Sequence, residues 1–414
     1  MLNDVPLILI LAGLAAYVVL AGADFGAGIW VIASSRSDRA LRDHARHAMG
    51  PVWEANHVWL IFVFVVCWTA YPRVFASIAS TLAVPLLIAA VGIILRGTAY
   101  ALRAQSDDGE VATGIERVFG ASSVLTPFAL GAAVGAIASG RVPVGNARGD
   151  LLTSWLSPTG IVIGALSVAT SAYLASVFLA ADAQRVKSVL LVNAFRERAL
   201  IAGAVAGALA LAALVVVRFD ARHIWDGLTS GWGLAALVAS AAAGLVTLLL
   251  VRARRFQPAR VAAALAVAFI IAGWAAAQSP ELLPGLTIDE AAAGHSTLVA
   301  LVIAVAAGLL LLAPSLMLLF RLTLTGRFDP GTAAGTQPRV RDLRRQYPGA
   351  RIVVAGSLLL VGCSLMVLSD ATWGLALGVA SLLGFLVTAF APLADPPESD
   401  DAPAPVGAVL EREA

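Results

Sequence analysis

Three ionisable residues in apolar surroundings carry the chemistry open to this chain: Asp24 in AGADFGAGIW (21–30), and Glu54 and His57 in MGPVWEANHVWLIF (49–62). A charged group at membrane depth costs about 2.5–3.5 kcal/mol on insertion scales, so it needs a partner, water or a route to the interface. Membrane carboxylates and histidines commonly form proton relays, and Asp24 and Glu54, with His57, read as such a relay. Glu54 and His57 are three residues apart, share a helix face and can pair, whereas Asn56 points elsewhere. The alternatives are a helix-end carboxylate that snorkels to the interface for Asp24, and a first-turn acid stabilised by the helix N-terminus for Glu54. Trp53 and Trp59 flank the pair as interfacial anchors or packing residues.

Other chemistries find less support. Glu54 and His57 match the Glu-x-x-His of di-iron bundles, but that site needs a second copy and two further glutamates, so no metal is expected. His44 and His47 form an H-x-x-H beside four arginines and read as part of a solvated loop. Axial haem ligands are usually His or Met. Only His57, Met317 and Met366 fall at membrane depth, on three different helices, so this chain alone is not expected to bind haem. Arg96 reads as a flanking charge ending the third helix, and Glu116 and Arg117 as a local ion pair. GADFGAG closes an apolar helix instead of joining a strand to one, which argues against a nucleotide loop. No nucleophile triad or nucleic-acid patch is present.

The elements that must hold these residues are membrane helices. The chain of 414 residues is 59% hydrophobic and 13% charged, about half the charged content of a soluble domain. A helix needs about 20 apolar residues to cross about 30 Å of hydrocarbon. Eleven candidate spans lie near 5–25, 52–71, 76–95, 118–139, 158–181, 199–217, 232–251, 261–278, 297–320, 352–368 and 373–392. Asp4 and the lack of an A-x-A site argue against a cleaved signal peptide. The loops after odd-numbered helices and the tail carry 23 Lys and Arg, against 5 on the other side. The positive-inside rule then places the N-terminus outside and the C-terminus in the cytoplasm. On this topology Asp24, Glu54 and His57 share the cytoplasmic side. Residues 279–294 read as an irregular cap over the outer ends of helices eight and nine. The division expected is a nine-helix domain (1–328), a basic cytoplasmic loop (329–350), an additional helix pair (351–392) and a disordered acidic, proline-rich tail (393–414).

Two stretches reach further than these arguments. AGADFGAGIW and MGPVWEANHVWLIFVFVVCWTAYP (49–72) resemble subunit II of the cytochrome bd-type quinol oxidases. There the first helix ends Asp-Gly-x-Asp-x-Gly-x-Gly and the second begins Pro-x-Trp-(Asp/Glu)-x-Asn-x-Val-Trp-Leu. ILRGTAYALR, FGASSVLTPFALGAAVGAIASGRVP and ELLPGLTIDEAA add to the likeness, which covers about 1–328. The resemblance implies an all-α polytopic bundle, two four-helix bundles plus a peripheral helix, here with an extra C-terminal helix pair. It implies a larger subunit I that carries haems b and d and oxidises quinol, with Asp24 and Glu54 implicated in proton supply from the cytoplasm. Trp53, Asn56 and Trp59 fall on signature positions. Two departures thin the carboxylates: the first aspartate of the helix-one pattern is Ala21, and an acidic position of some members is Ala101.

The expectation is a non-haem, multi-pass inner-membrane subunit of a terminal oxidase that reduces oxygen to water and supports proton uptake and complex stability. Its expected partners are subunit I, membrane lipids, a structural quinone and a small accessory subunit, and no nucleic acid. The rivals are a small-solute transporter and a purely structural assembly subunit.

Overall fold

The computed structural model describes residues 2–34, 38–49, 53–103, 110–324, 349–368 and 372–394. These residues are almost all helical: α1 Val5–Ala33, α2 Arg39–Met49, α3 Trp53–Ala70, α4 Pro72–Thr81, α5 Ala83–Arg103, α6 Glu110–Ala138, α7 Pro158–Arg185 and α8 Val189–Asp220. There follow α9 Arg222–Leu228, α10 Gly231–Arg252, α11 Phe256–Gln278, the strands β1 Glu281–Leu283 and β2 Leu286–Thr287, α12 Ile288–Ala291, α13 His295–Leu324, α14 Gly349–Leu368 and α15 Thr372–Ala394. Among the described residues, α1, α5, α6, α7, α8, α10 and α11 are long and apolar enough to cross a membrane. The other four expected spans coincide with shorter apolar stretches in α3, α13, α14 and α15.

Two helix boundaries differ from the sequence reading, and both matter. The first helix does not stop at its glycines but runs to Ala33. Gly26 is there because α1 touches α7: an added Cβ would collide with the Ser171 carbonyl and stand 2.6 Å from the Ala175 Cβ. The third span is displaced. Pro72 disfavours helical backbone at Tyr71, so α3 ends at Ala70; α4 then occupies Pro72–Thr81, and α5 begins only after Leu82. At about 1.5 Å per residue, Asp24 lies about 14 Å and Arg96 about 10 Å inside their helix ends. Neither residue is an interface group.

Within Met1–Ser315, one of two compact units, α1 packs against α3, α6, α7 and α11, while α5 packs on α6, α7 on α8 and α10 on α11. The core has two main parts. One, at the arginine-rich end, joins Val31, Leu41, Ala45, Leu179, Phe195 and Phe256. The other, at the hairpin end, joins Val66, Tyr71, Leu82, Trp155, Leu283 and Leu298.

The basic connection after α1, expected as solvated loop, contains a helix. α2 puts Leu41 and Ala45, one turn apart, into the core. Its His44 side chain is only 9% exposed and its Nε2 lies 3.2 Å from Leu179 O. The cap at 279–294 also differs. It is a hairpin followed by α12, and it covers the N-terminus and the α3–α4 corner: Ala293 N donates to Ala70 O at 2.8 Å and Asn3 Nδ2 to Asp289 Oδ1 at 2.7 Å. Leu283 and Leu286, both buried in that corner, drive this placement. Gly140, at φ 71°, closes α6 with Arg141 N donating to Ala136 O, the left-handed stop that satisfies a terminal carbonyl.

In the second unit, Leu316–Ala414, α14 and α15 pack on each other, and Arg351 Nε donates to Thr388 O at 3.2 Å. Residues 325–348 and 395–414, which hold most of the expected basic loop and acidic tail, lie outside the described residues.

Candidate functional site

On α1, Asp24 and Gly28 lie one turn apart on the face turned to α5 and α6. Arg96 reaches across from α5: its Nη2 donates to Asp24 Oδ1 at 2.7 Å and its Nε to Oδ2 at 3.2 Å. Nη2 also donates to the Asp24 backbone carbonyl at 2.7 Å, and Nη1 donates to Ser123 Oγ on α6. The guanidinium stands over the Phe119 ring at 4.2 Å and the Phe25 ring at 5.3 Å. Both charged residues are 3% exposed. Gly28 leaves the space that Arg96 needs, since a Cβ there would stand 2.5 Å from its Nη1. A buried charge is tolerated only when paired and hydrogen-bonded, and a forked arginine–carboxylate pair meets that condition best.

The stripe Tyr17, Ala21 and Phe25 turns to α3 and packs against Trp59 and Leu60. Trp59 thus serves as a packing residue, edge-on to Phe62 at 6.2 Å. The His57 ring lies 6.1 Å from the rings of both Tyr17 and Phe25. Asn56, 2% exposed, donates from Nδ2 to Leu20 O at 3.4 Å and so links α3 to α1. Four buried polar atoms in this neighbourhood, Tyr17 Oη, Asn56 Oδ1 and both His57 ring nitrogens, have no hydrogen-bond partner among the described residues. Trp53 and Glu54 open α3, and their side chains lie outside the described residues.

Toward the arginine-rich end, Glu116 of α6 is gripped from α2, by Arg42 Nη2 and by Arg46 Nη1 at 3.0 Å. The expected local pair of Glu116 with Arg117 is replaced by this contact between elements, and Arg117 is exposed. His44 Nε2 also lies 3.6 Å from Asp182 Oδ2. α2 is therefore stitched over the ends of α6, α7 and α8.

On the other side of Tyr17 and Phe25, a cavity of about 700 Å³ runs between α1, α3, α5, α6 and α7 to the hairpin end. Its lining is apolar along most of its length, including Leu14, Val63, Leu86 and Leu130, and among the described residues includes no histidine or methionine. Near the hairpin it meets Trp274 and Gln278, whose Nε1 and Oε1 are unpaired among the described residues.

Comparison with known proteins now bears on this arrangement. The sequence profile of "Cytochrome bd terminal oxidase subunit II" matches residues 2–323, the stretch that holds all of these groups. The chain belongs to this family. A putative cytochrome bd menaquinol oxidase subunit II of Bacillus subtilis (strain 168) is 21% identical over 238 residues, covering 56% of this chain and 68% of that relative. The cytochrome bd ubiquinol oxidase subunit 2 of the same organism is 28% identical over 130 residues, 31% of this chain and 38% of that relative. The bd oxidase structure from Geobacillus thermodenitrificans contains a chain that superposes with a TM-score of 0.62 at 28% identity, covering 78% of this chain and 99% of that one. This protein is thus a multi-pass membrane subunit of a bd-type terminal oxidase, a quinol:oxygen oxidoreductase, and its partner is subunit I. Helices α14 and α15 lie beyond the matched residues.

Of the residues singled out from sequence, Asp24, Asn56, His57 and Trp59 gather around one contact of α1 with α3, α5 and α6. Arg96 and Tyr17 are the members that sequence reasoning missed. Arg96 had a signal: Arg103 follows two turns later and suffices as the flanking charge, which leaves Arg96 needing a partner inside the bundle.

Proposed function

We propose that this subunit admits protons to the oxidase from its arginine-rich end, which faces the cytoplasm with the N-terminus outside, through Glu54 and His57 beside Asp24. The observation that supports this reading is the burial of Asp24 and Arg96 about 10–14 Å inside their helix ends, with the half-buried His57 ring 6.1 Å from the Tyr17 and Phe25 rings beside them, a cost that a purely structural helix contact does not need. Protons consumed at the oxygen-reducing haem and released by quinol outside would then build a membrane potential without pumping.

The remaining parts of the reading rest on chemistry. Haems b and d are assigned to subunit I on family resemblance. The cavity fits the isoprenoid tail of a structural quinone, with Trp274 and Gln278 placed to meet its polar head. A small accessory subunit is proposed on family resemblance alone.

The deciding experiment is Glu54→Ala in the intact complex, with quinol-dependent oxygen uptake measured per haem. A positioned proton-transfer group contributes roughly 10²–10⁴-fold, so turnover falls at least ten-fold in a complex that still assembles. Unchanged turnover refutes the reading and favours the assembly role.

A further inference from the structure

The Asp24 carboxylate has both oxygens occupied by Arg96. Arg96 in turn places an Nη1 donor on Ser123, whose Oγ donates to Phe119 O at 2.5 Å. Each of these three side chains is hydrogen-bonded to another group, and a guanidinium keeps its proton in proteins. A proton moving past this point therefore needs other atoms to travel on.

The neighbouring contact offers them. Tyr17 lies two turns before Asp24 on α1, is 4% exposed and leaves its hydroxyl unpaired among the described residues; Asn56, 2% exposed, leaves Oδ1 unpaired among them. Both nitrogens of His57 are unpaired among the described residues, and its ring stands 6.1 Å, centroid to centroid, from that of Tyr17; a bridging water can serve polar groups that do not reach each other directly. A buried polar atom without a partner costs about 1–3 kcal/mol, and four in one neighbourhood do not persist by accident. Buried waters sit where two to four polar groups can hold them, and this cluster supplies donors and acceptors together. Its charged neighbours are Asp24 and Arg96, which act on both Tyr17 and His57.

We propose that Tyr17, Asn56 and His57 enclose a bound-water site on the proton path, with the Asp24–Arg96 pair beside it as a fixed dipole. The inference rests on the proton-uptake reading above and adds to it a ligand, water or its protonated form, and a residue, Tyr17, whose hydroxyl positions that ligand. Atoms balance simply: a proton arriving at the water from the Glu54 and His57 side leaves from it on the other, with no bond to carbon made or broken.

The test is Tyr17→Phe in the whole oxidase, read by haem spectrum, oxygen uptake per haem and the ratio of rates in H2O and D2O. The expected result is an intact haem spectrum, turnover lower by roughly five-fold for one lost hydrogen bond, and a larger solvent isotope effect. Unchanged turnover and isotope effect overturn the proposal, as does a complex with longer thermal half-life, because removing a dry, unpaired hydroxyl stabilises. Glu54→Ala separates the two levels: slowed Glu54→Ala with normal Tyr17→Phe removes the water site alone, and normal turnover in both removes the uptake reading too. Should Tyr17→Phe fail to assemble, a high-resolution map of the wild-type oxidase decides. Water density within about 3.2 Å of Tyr17 Oη and a His57 nitrogen supports the site, and a dry contact overturns it.

Discussion

Gly26→Ala is the sharpest test of how this subunit holds its buried charges. The new Cβ would stand 2.5 Å from the Ser171 carbonyl carbon and 2.6 Å from the Ala175 Cβ, against about 3.5–4.0 Å for a normal carbon contact. The obstacle is backbone, which cannot rotate aside, so α1 and α7 must part by about 1 Å. Overpacking of this kind costs about 1–3 kcal/mol. The helix-propensity gain from glycine to alanine offsets at most about 1 kcal/mol, and less in lipid, where a separated helix stays helical. The displacement also carries Asp24, two residues away, from a pair whose shorter contact is 2.7 Å. Gly207→Ala is the control, because nothing lies within 4 Å of a Cβ there, and its expected effect is neutral to slightly stabilising. Assembled oxidase is held at one elevated temperature and surviving haem absorbance followed, since large complexes unfold irreversibly and stability is read as a half-life. Gly26→Ala should shorten the half-life about five-fold or more, while Gly207→Ala leaves it equal or longer. Equal half-lives for wild type and Gly26→Ala would refute the close-approach argument.

Two further outcomes follow from the ion pair and the loops. Arg96→Gln leaves a buried carboxylate without its partner, a loss of about 3–5 kcal/mol, so the yield of haem-loaded complex drops sharply; Arg96→Lys keeps the charge but not the fork and should fall between, whereas wild-type yield from Arg96→Gln would show that the pair does not hold the helices. At the hairpin end, the Thr287 amide donates to Glu290 Oε2 at 3.0 Å, and this bond first among others holds the Glu290 carboxyl below its usual range. The Thr153 and Leu152 amides do the same for Asp150. A depressed carboxyl stabilises above its unfolded value, about 4, and loses that contribution as pH falls through the folded value. Exchange of the Thr287, Leu152 and Thr153 amides, corrected for intrinsic rate, should therefore quicken below about pH 4, and a flat protection profile would count against these caps.

Much of this protein was legible because the bilayer restricts the choices. Backbone groups in lipid must be satisfied within the segment, so apolar runs of sufficient length have to be helices, and of the eleven spans expected from hydropathy seven are, among the described residues, helices long and apolar enough to cross. Asp24, Glu54 and His57 stood out for the same reason, as charges where charge is costly. The sequence could not say where a helix ends when its glycines serve packing: AGADFGAG looked like a terminus and is instead the face that admits Ser171 and Arg96. Nor could it pair Asp24 with Arg96, 72 residues away, because that depends on α5 starting after Leu82 and on α1 crossing α5 and α6 at Gly28. The fold of α2 over the arginine-rich end was hidden likewise, since Leu41 and Ala45 become a core face only when α7 and α8 are present to receive them. Composition and periodicity thus determined which segments are helices and which residues are costly to bury. Tertiary packing alone decided which of those costly residues satisfy one another and which, like Tyr17 and His57, remain open to a ligand.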